Sequence, residues 1–527
     1  MTKFPRTLLA TVCLLALAAY PAGLQAQDGA KLAPADAGLF VQVDGLAKWR
    51  TQLNDDAIWA VLRPHLPDPE DNPVWQNIQT ALGMTGPDLF DHFFGKSVVL
   101  IVSEVGDHKP GVIFSRIDKA DGQLAIERLQ LQPTDTFGAF KCYTTPDGNG
   151  HFAFSDEWMA MCDTQAETFA MSVLKRIGSG KSLADDAGFK SWTGKLPAQR
   201  DATVFARVPL PAGADQAADQ PARLTQHALS LTRSGKDLSV HYAGEAGAFL
   251  SKLGTLGPVT TVDFGPLPAS VCGAVSLNFF NHNPADAERL KALLPAKDLG
   301  KDVLSKLSGP IVLGVATPTG NPGADPAAAP PPALALAVRM GDRSVAQDLG
   351  GMVNTLAVLA NIKGQEWKAP LIKISAAHHG QVNYQTANLG AFLASRGRRP
   401  EMASIELCFG SVGDWYLLTT SRAFFDQCVD AAAGNPGARL AQAADLKPLT
   451  LADTSNPIAA LVVRGPDLAT QLRNLAPKMQ ARHEQRALVM ETLAGILDDA
   501  ATVGVRLWQG QGEEVGGQLD LYRKQAP

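Results

Sequence analysis

The sequence predicts an α+β fold made of two tandem homologous units, each an antiparallel sheet packed with helices, and three observations carry that expectation. The stretch "PADAGLFVQVDGLAKW" from Pro34 alternates apolar residues at Leu39, Val41 and Val43 as a strand does, then shifts toward helical spacing. "PASVCGAVSLNFFNHNPADAERLKALL" from Pro268 starts the same way, with Val275 and Leu277 in alternation. Finally, "EWMAMCDTQAETFAMSVLKRIGSGKSLADDAGF" aligns without a gap on "DWYLLTTSRAFFDQCVDAAAGNPGARLAQAADL", placing Trp158 on Trp415.

Taken in order, each start leads into a glycine-led strand, "GKSVVLIV" from Gly95 and "GPIVLGVA" from Gly309, and then "GVIFSRI" and "ALALAVRM". In the aligned block, Thr164 with Glu167 three residues on, and Ser421 opposite Thr164, read as helix N-caps. The helix after Thr164 carries Phe169, Val173, Leu174 and Ile177 on one face, and both helices end in Gly or Asn-Pro-Gly stops. The strands "TVFARV" and "AALVVR" set Arg207 on Arg464, and a terminal hairpin closes each unit. Short turns between most strands imply antiparallel pairing. The expected division is a leader over 1–26, a first unit over 27–257 and a second over 258–527, the latter with a long helical stretch from Pro466 before its hairpin. "PAGADQAADQPAR" from Pro211 and "PTGNPGADPAAAPPP" from Pro318 read as solvated loops.

Lys3 and Arg6, an apolar run from Leu8 to Tyr20, a break at Pro21 and Gly23, and Ala26 at the expected cut read as a secretory signal peptide. Nothing later approaches the roughly 18 consecutive apolar residues of a transmembrane helix. The expectation is an exported protein, periplasmic or extracellular, without a transmembrane anchor. Removing the leader's two basic residues takes the net charge from -5 to -7. That acidity argues against a nucleic-acid partner, which needs a basic face to neutralise phosphates.

"GSGKSLADDAGF" from Gly178 looks most like chemistry, yet a phosphate loop requires glycine where Lys175 stands and a helix beginning after the lysine, whereas here a helix ends. Its counterpart keeps Gly437 and Leu440 but has Ala438 and Arg439 in place of Lys181 and Ser182, so no nucleotide is expected. A helix stop should leave Lys181 solvated and pin Leu183 and Phe189. The acid pairs Asp55-Asp56, Asp185-Asp186, Asp498-Asp499 and Glu513-Glu514 consist of chain neighbours that diverge, unlike the facing carboxyls of a glycosidase. His378-His379 on a strand would point to opposite faces, so the pair is not expected to hold one metal. No catalytic residue, cofactor site or metal site is assigned. Five cysteines follow the leader. Cys142 with Cys162, and Cys408 with Cys428, are expected to form disulfides in an oxidising compartment.

"LAPADAGLFVQVDGLAKW", the Trp-bearing strand with its following helix, and "GKSLADDAGFKSW" together resemble an uncharacterised family of exported bacterial proteins, a domain of unknown function. The resemblance implies export and an α+β fold and brings no catalytic residues. The functional expectation is a noncatalytic binding or scaffold protein whose partner is an envelope protein or lipid. The alternative is an envelope hydrolase with a site at the interface of the two units.

Overall fold

The computed structural model describes residues 27–53, 73–105, 109–178, 180–209, 224–234, 237–245, 262–278, 306–317, 331–397, 400–434, 438–443, 457–480, 484–510 and 514–523. The leader, the loop 211–223, nearly all of the loop 318–332, the pair Asp55-Asp56 and Glu513 lie outside these residues. The chain divides into two compact units, Met1–Gly247 and Ala248–Pro527, with Glu514–Gly516 counted in the first.

The first unit runs α1 (Gln27–Ala30), β1 (Leu39–Asp44), α2 (Leu46–Leu53), α3 (Pro73–Leu82), α4 (Gly86–Phe93), β2 (Ser97–Val102), β3 (Gly111–Arg116), α5 (Lys119–Arg128) and β4 (Gln132–Phe137). It continues with β5 (Phe140–Thr144), β6 (Gly150–Phe154), β7 (Trp158–Asp163), α6 (Glu167–Arg176), α7 (Ala187–Thr193), β8 (Ala202–Pro209), β9 (Leu224–Ser234) and β10 (Asp237–Glu245). Antiparallel pairing gives the order β4-β5-β6-β7-β3-β2-β1-β8-β9-β10. The central strand β2, Ser-Val-Val-Leu-Ile-Val, is buried along its whole length because helices cover both faces. Phe40, Val99, Ile101, Phe114 and Phe205 face α6 and α7, while Val41, Val43, Val98 and Leu100 face Trp75 of α3 and Leu89 and Phe93 of α4. At the edge, β4 is exposed and contains Pro133, which fits a strand with one unpaired side.

The second unit runs β11 (Gly273–Leu277), β12 (Leu307–Ala316), β13 (Ala333–Met340), α8 (Ser344–Gly364), β14 (Ile374–His379), β15 (Val382–Ala387), α9 (Leu389–Gly397), β16 (Leu407–Val412) and β17 (Trp415–Thr419). Then come α10 (Arg422–Ala432), β18 (Pro457–Arg464), α11 (Gly465–Gln480), α12 (Glu484–Asp499), β19 (Ala500–Gln509) and β20 (Glu514–Arg523). Its order is β14-β15-β16-β17-β13-β12-β11-β18-β19-β20, the first unit's order with every index raised by ten. The two-residue turn between β16 and β17 places Gly413 at φ 61°, a left-handed conformation that glycine adopts without steric cost.

The same bonds close both sheets. Arg207 N donates to Gly38 O and Arg464 N to Cys272 O, each at 2.8 Å. Their guanidinium groups donate to Ala37 O (2.7 Å) and Val271 O respectively. Leu183 N donates to Ala33 O and Leu440 N to Leu267 O, at 2.8 and 2.9 Å. Trp158 lies opposite Arg116 on β3, as Trp415 lies opposite Arg339 on β13.

Two local expectations shift. Thr164 opens a 3-10 turn and gives its hydroxyl to Asn149 O (3.2 Å), so α6 starts at Glu167 without a side-chain cap. The long helical stretch from Pro466 is two helices, α11 and α12, which pack on each other and are joined by an Arg473–Asp498 ion pair.

Candidate functional site

The residues singled out by the sequence are mostly architectural. After α6, Gly178 turns the chain at φ 79°, Lys181 is exposed, and Leu183 and Phe189 are buried. Phe189 meets the rings of Phe40 and Phe205 edge-on, with centroids 5.7 and 5.3 Å away. The neighbouring acids take separate tasks. Asp185 accepts from Ser182 N and Oγ (3.1 and 2.7 Å), whereas Asp186 caps α7 by accepting from Phe189 N (2.7 Å) and pairs with Arg207 at 3.1 Å. In the second unit, Asp498 pairs with Arg473 and Asp499 lies 3.4 Å from Arg523.

The expected disulfides are corrected. Among the described residues no disulfide forms, and Cys142, Cys162, Cys272, Cys408 and Cys428 are thiols. Cys142 on β5 pairs with Ala153 on β6, and Cys162 on β7 pairs with His151 on β6. A whole strand therefore separates them, about 9.5 Å at two interstrand spacings, beyond the roughly 7 Å a disulfide spans. Cys408 on β16 and Cys428 on α10 sit unbonded in one apolar core. Burial pushes the thiols of Cys142 and Cys272 up to about 11 and that of Cys408 to about 12, and raises Cys428 as well. None of these four presents a thiolate at neutral pH.

His378 and His379 diverge on β14. His378 is exposed, whereas His379 Nε2 lies 2.8 Å from Asp430 Oδ1 on α10 and its Nδ1 lies 3.7 Å from Asp426. Asp426 also accepts from the Tyr384 hydroxyl (3.0 Å), whose ring stacks on Phe425 with centroids 4.3 Å apart. The hydrogen bond to Asp430 raises the His379 pKa, and burial raises that of Tyr384. The contacts of His379 with Asp430 and Asp426 tie the β14–β15 hairpin to α10. With both neighbours acidic, His379 lacks the nucleophile that a general base would activate.

In the first unit, the Tyr242 hydroxyl lies 2.8 Å from His227 Nδ1, and His227 Nε2 lies 2.8 Å from Thr225 Oγ1. Thr225 in turn donates to Val208 O (3.1 Å). Because Thr225 gives its proton to the carbonyl, it accepts from Nε2–H, and in the neutral ring Nδ1 then accepts from the Tyr242 hydroxyl. Burial lowers the His227 pKa, and both ring nitrogens are engaged.

Two acids not signalled by the sequence meet where β1 ends beside the start of β8. Asp44 and Asp201 are 3% and 1% exposed. Asp44 N donates to Asp201 O (3.0 Å), Gln42 Nε2 donates to both Asp44 carboxylate oxygens (3.1 Å each), and Asp201 Oδ2 accepts from Arg233 N (2.9 Å). The other Asp201 oxygen has no hydrogen-bond partner among the described residues. Burial raises both carboxyls, Asp201 to about 6. Enclosed this way, the pair cannot reach a substrate. Among the described residues no group of His, Cys, Asp and Glu could hold a metal.

The feature that faces outward is α8. Val345 and Ala357 on this helix are buried, and Leu349, Val353 and Ala360 pack beside them against Leu307, Val338, Met340 and Tyr416. The last turns of the helix are apolar on the opposite side too, with Leu356 63%, Val358 57%, Leu359 56% and Ile362 60% exposed. Leu371, 54% exposed, follows in the next segment. That segment is fixed, since Asn361 on α8 accepts from Ile372 N (2.7 Å) and donates to Ile372 O (3.0 Å), and Asn388 accepts from Lys373 N (2.6 Å). These five make up half of the ten exposed large apolar side chains among the described residues, and clustered exposure marks a binding surface where scattered exposure would not. The corresponding helix of the first unit, α5, has ten residues and puts charged side chains there.

The chain matches no family model, and no curated protein matches it. Three solved structures titled as crystal forms of TP0453 share some of its shape. Form IV has a TM-score of 0.25 and 10% identity over 42% of this chain and 84% of the other. Form III gives 0.26 and 10% over 50% and 86%, and form I gives 0.24 and 12% over 41% and 78%. Likeness at that level assigns neither fold nor function.

Proposed function

We propose that this chain is an exported, noncatalytic binding protein of the bacterial envelope, built from a duplicated α+β unit, and that it engages its partner through the outer face of α8. The exposed apolar end of that helix carries the proposal. The repeated strand order and the paired bonds of Arg207 and Arg464 support duplication, and the basic start, apolar run and Ala26 support export. A duplicated framework in which one unit lengthens a single helix and turns apolar side chains outward gives that helix a task the framework does not need. The test is a photoreactive residue placed at Leu359 in the full chain expressed in a Gram-negative host, with exposed Lys190 as control. Irradiation is expected to give an adduct from position 359 and none from 190, on a protein whose N-terminus is Gln27. Equal yields at both positions would sink the binding reading, and an uncleaved leader the export reading.

A further inference from the structure

We infer that the end of α8 is a docking ridge for an anionic lipid surface, an assignment that rests on the binding reading above. The apolar part consists of Leu356, Val358, Leu359, Ile362 and Leu371. Lys363, Lys368 and Lys373 stand beside it, all exposed, and no ion pair among the described residues engages them. From Leu349 to Lys373 the single acid is Glu366, in a chain whose net charge is -5. A local excess of positive charge around exposed aliphatic side chains, on an acidic protein, is complementary to a negatively charged bilayer surface. Lysine stems lie along the apolar boundary while their ammonium groups meet headgroup phosphates.

Chemistry favours lipid over a protein partner. Protein interfaces concentrate binding energy in Trp, Tyr and Arg, with Leu and Val under-represented, whereas all five exposed side chains here are aliphatic. The outer side of a helix is also a convex ridge, suited to entering a headgroup layer rather than receiving another protein's side chain. The Asn361 and Asn388 clamps hold Leu371 in place beside the helix end before any contact is made, so docking orders little additional chain.

The inference is tested by flotation of the mature full-length chain with phosphatidylcholine vesicles, with and without phosphatidylglycerol. Binding is expected only with phosphatidylglycerol, weakening as salt rises. The double variant Leu359→Gln, Ile362→Gln should lose it. The triple variant Lys363→Glu, Lys368→Glu, Lys373→Glu should weaken it by at least about a hundredfold, given that each basic residue near such a surface contributes about fivefold and reversal adds repulsion. These positions are exposed, and unchanged circular dichroism verifies that the variants fold. No partition onto phosphatidylglycerol vesicles, or partition that neither variant alters, would overturn the inference. So would a dimer by sedimentation that Leu359→Gln, Ile362→Gln dissociates, because the ridge would then be covered by a second copy. If vesicles fail but the adduct at 359 is a protein, the binding reading stands and the lipid assignment falls. If neither vesicles nor adduct appear, both fall.

Discussion

Where its first strand ends, the first unit buries Asp44 and Asp201, and at the same place the second unit buries Asn278 and Ile458. The backbone link between the positions is common to both, Asp44 N to Asp201 O at 3.0 Å and Asn278 N to Ile458 O at 2.8 Å. The fold therefore needs the main-chain bond, and tolerates an acid or an amide at the first position and an acid or an aliphatic side chain at the second. The first unit carries a titratable burden that its architecture does not demand. The second carries an apolar helix face that its architecture does not demand.

The anchors test what is shared. Leu183 and Leu440 are 0% and 1% exposed and their amides make equivalent bonds. Leu183→Ala and Leu440→Ala should each destabilise their own unit by about 2–5 kcal/mol, through lost transfer energy plus a cavity. Chemical denaturation of the two variants measures it, and a large loss at one position with none at the other would break the correspondence.

A smaller effect separates the units by pH. The folded first unit holds the Asp201 proton up to about pH 6, whereas an unfolded aspartate releases it near 3.8. Between those values the native state binds more protons, so the contribution of this carboxyl to stability is full below pH 3.8 and is lost as pH rises to 6, with Asp44 acting in the same direction. Two pKa units correspond to about 2–3 kcal/mol. Asp201→Asn should remove that part of the decline in urea titrations at pH 4 and pH 7, and an unchanged slope would contradict the burial assigned to this carboxyl.

The smallest effect belongs to the second unit. His379 is held protonated above its ordinary 6.5 by Asp430, so its stabilising contribution is full below 6.5 and is lost as pH climbs through the raised value. A proton NMR titration should find that midpoint high, and Asp430→Asn should lower it. A midpoint unmoved by Asp430→Asn would remove the ion pair as its cause.

Sequence periodicity reveals the strands because their alternation reports burial directly, and it reveals the turn at Gly178 because Leu183 and Phe189 recur as apolar anchors after a helix stop. The disulfides are misread for a reason of register, since chain spacing does not disclose that β6 inserts between Cys142 and Cys162. The buried acids are equally hidden. Asp44 ends a strand and Asp201 precedes one, where acids are ordinarily solvated, and only the fold brings them together. The α8 ridge escapes for the opposite reason. Gly350 and Gly351 weaken helix propensity in its first half, and from Leu356 to Ile362 every residue but Asn361 is apolar, leaving no one-sided period to detect.

The link between Arg207 and Ala37 also bears on how the chain folds. It joins residues 170 apart in sequence, and its counterpart from Arg464 to Val271 spans 193. In each unit the opening strand lies at the centre of the sheet, and one of its two neighbours is among the last made. Until β8 arrives, β1 presents an unsatisfied hydrogen-bonding edge inside what will become the core. Closure over such separations is slow, because long loops must be ordered before their contacts form, and each unit is exposed to pairing with other chains until its far end has been made.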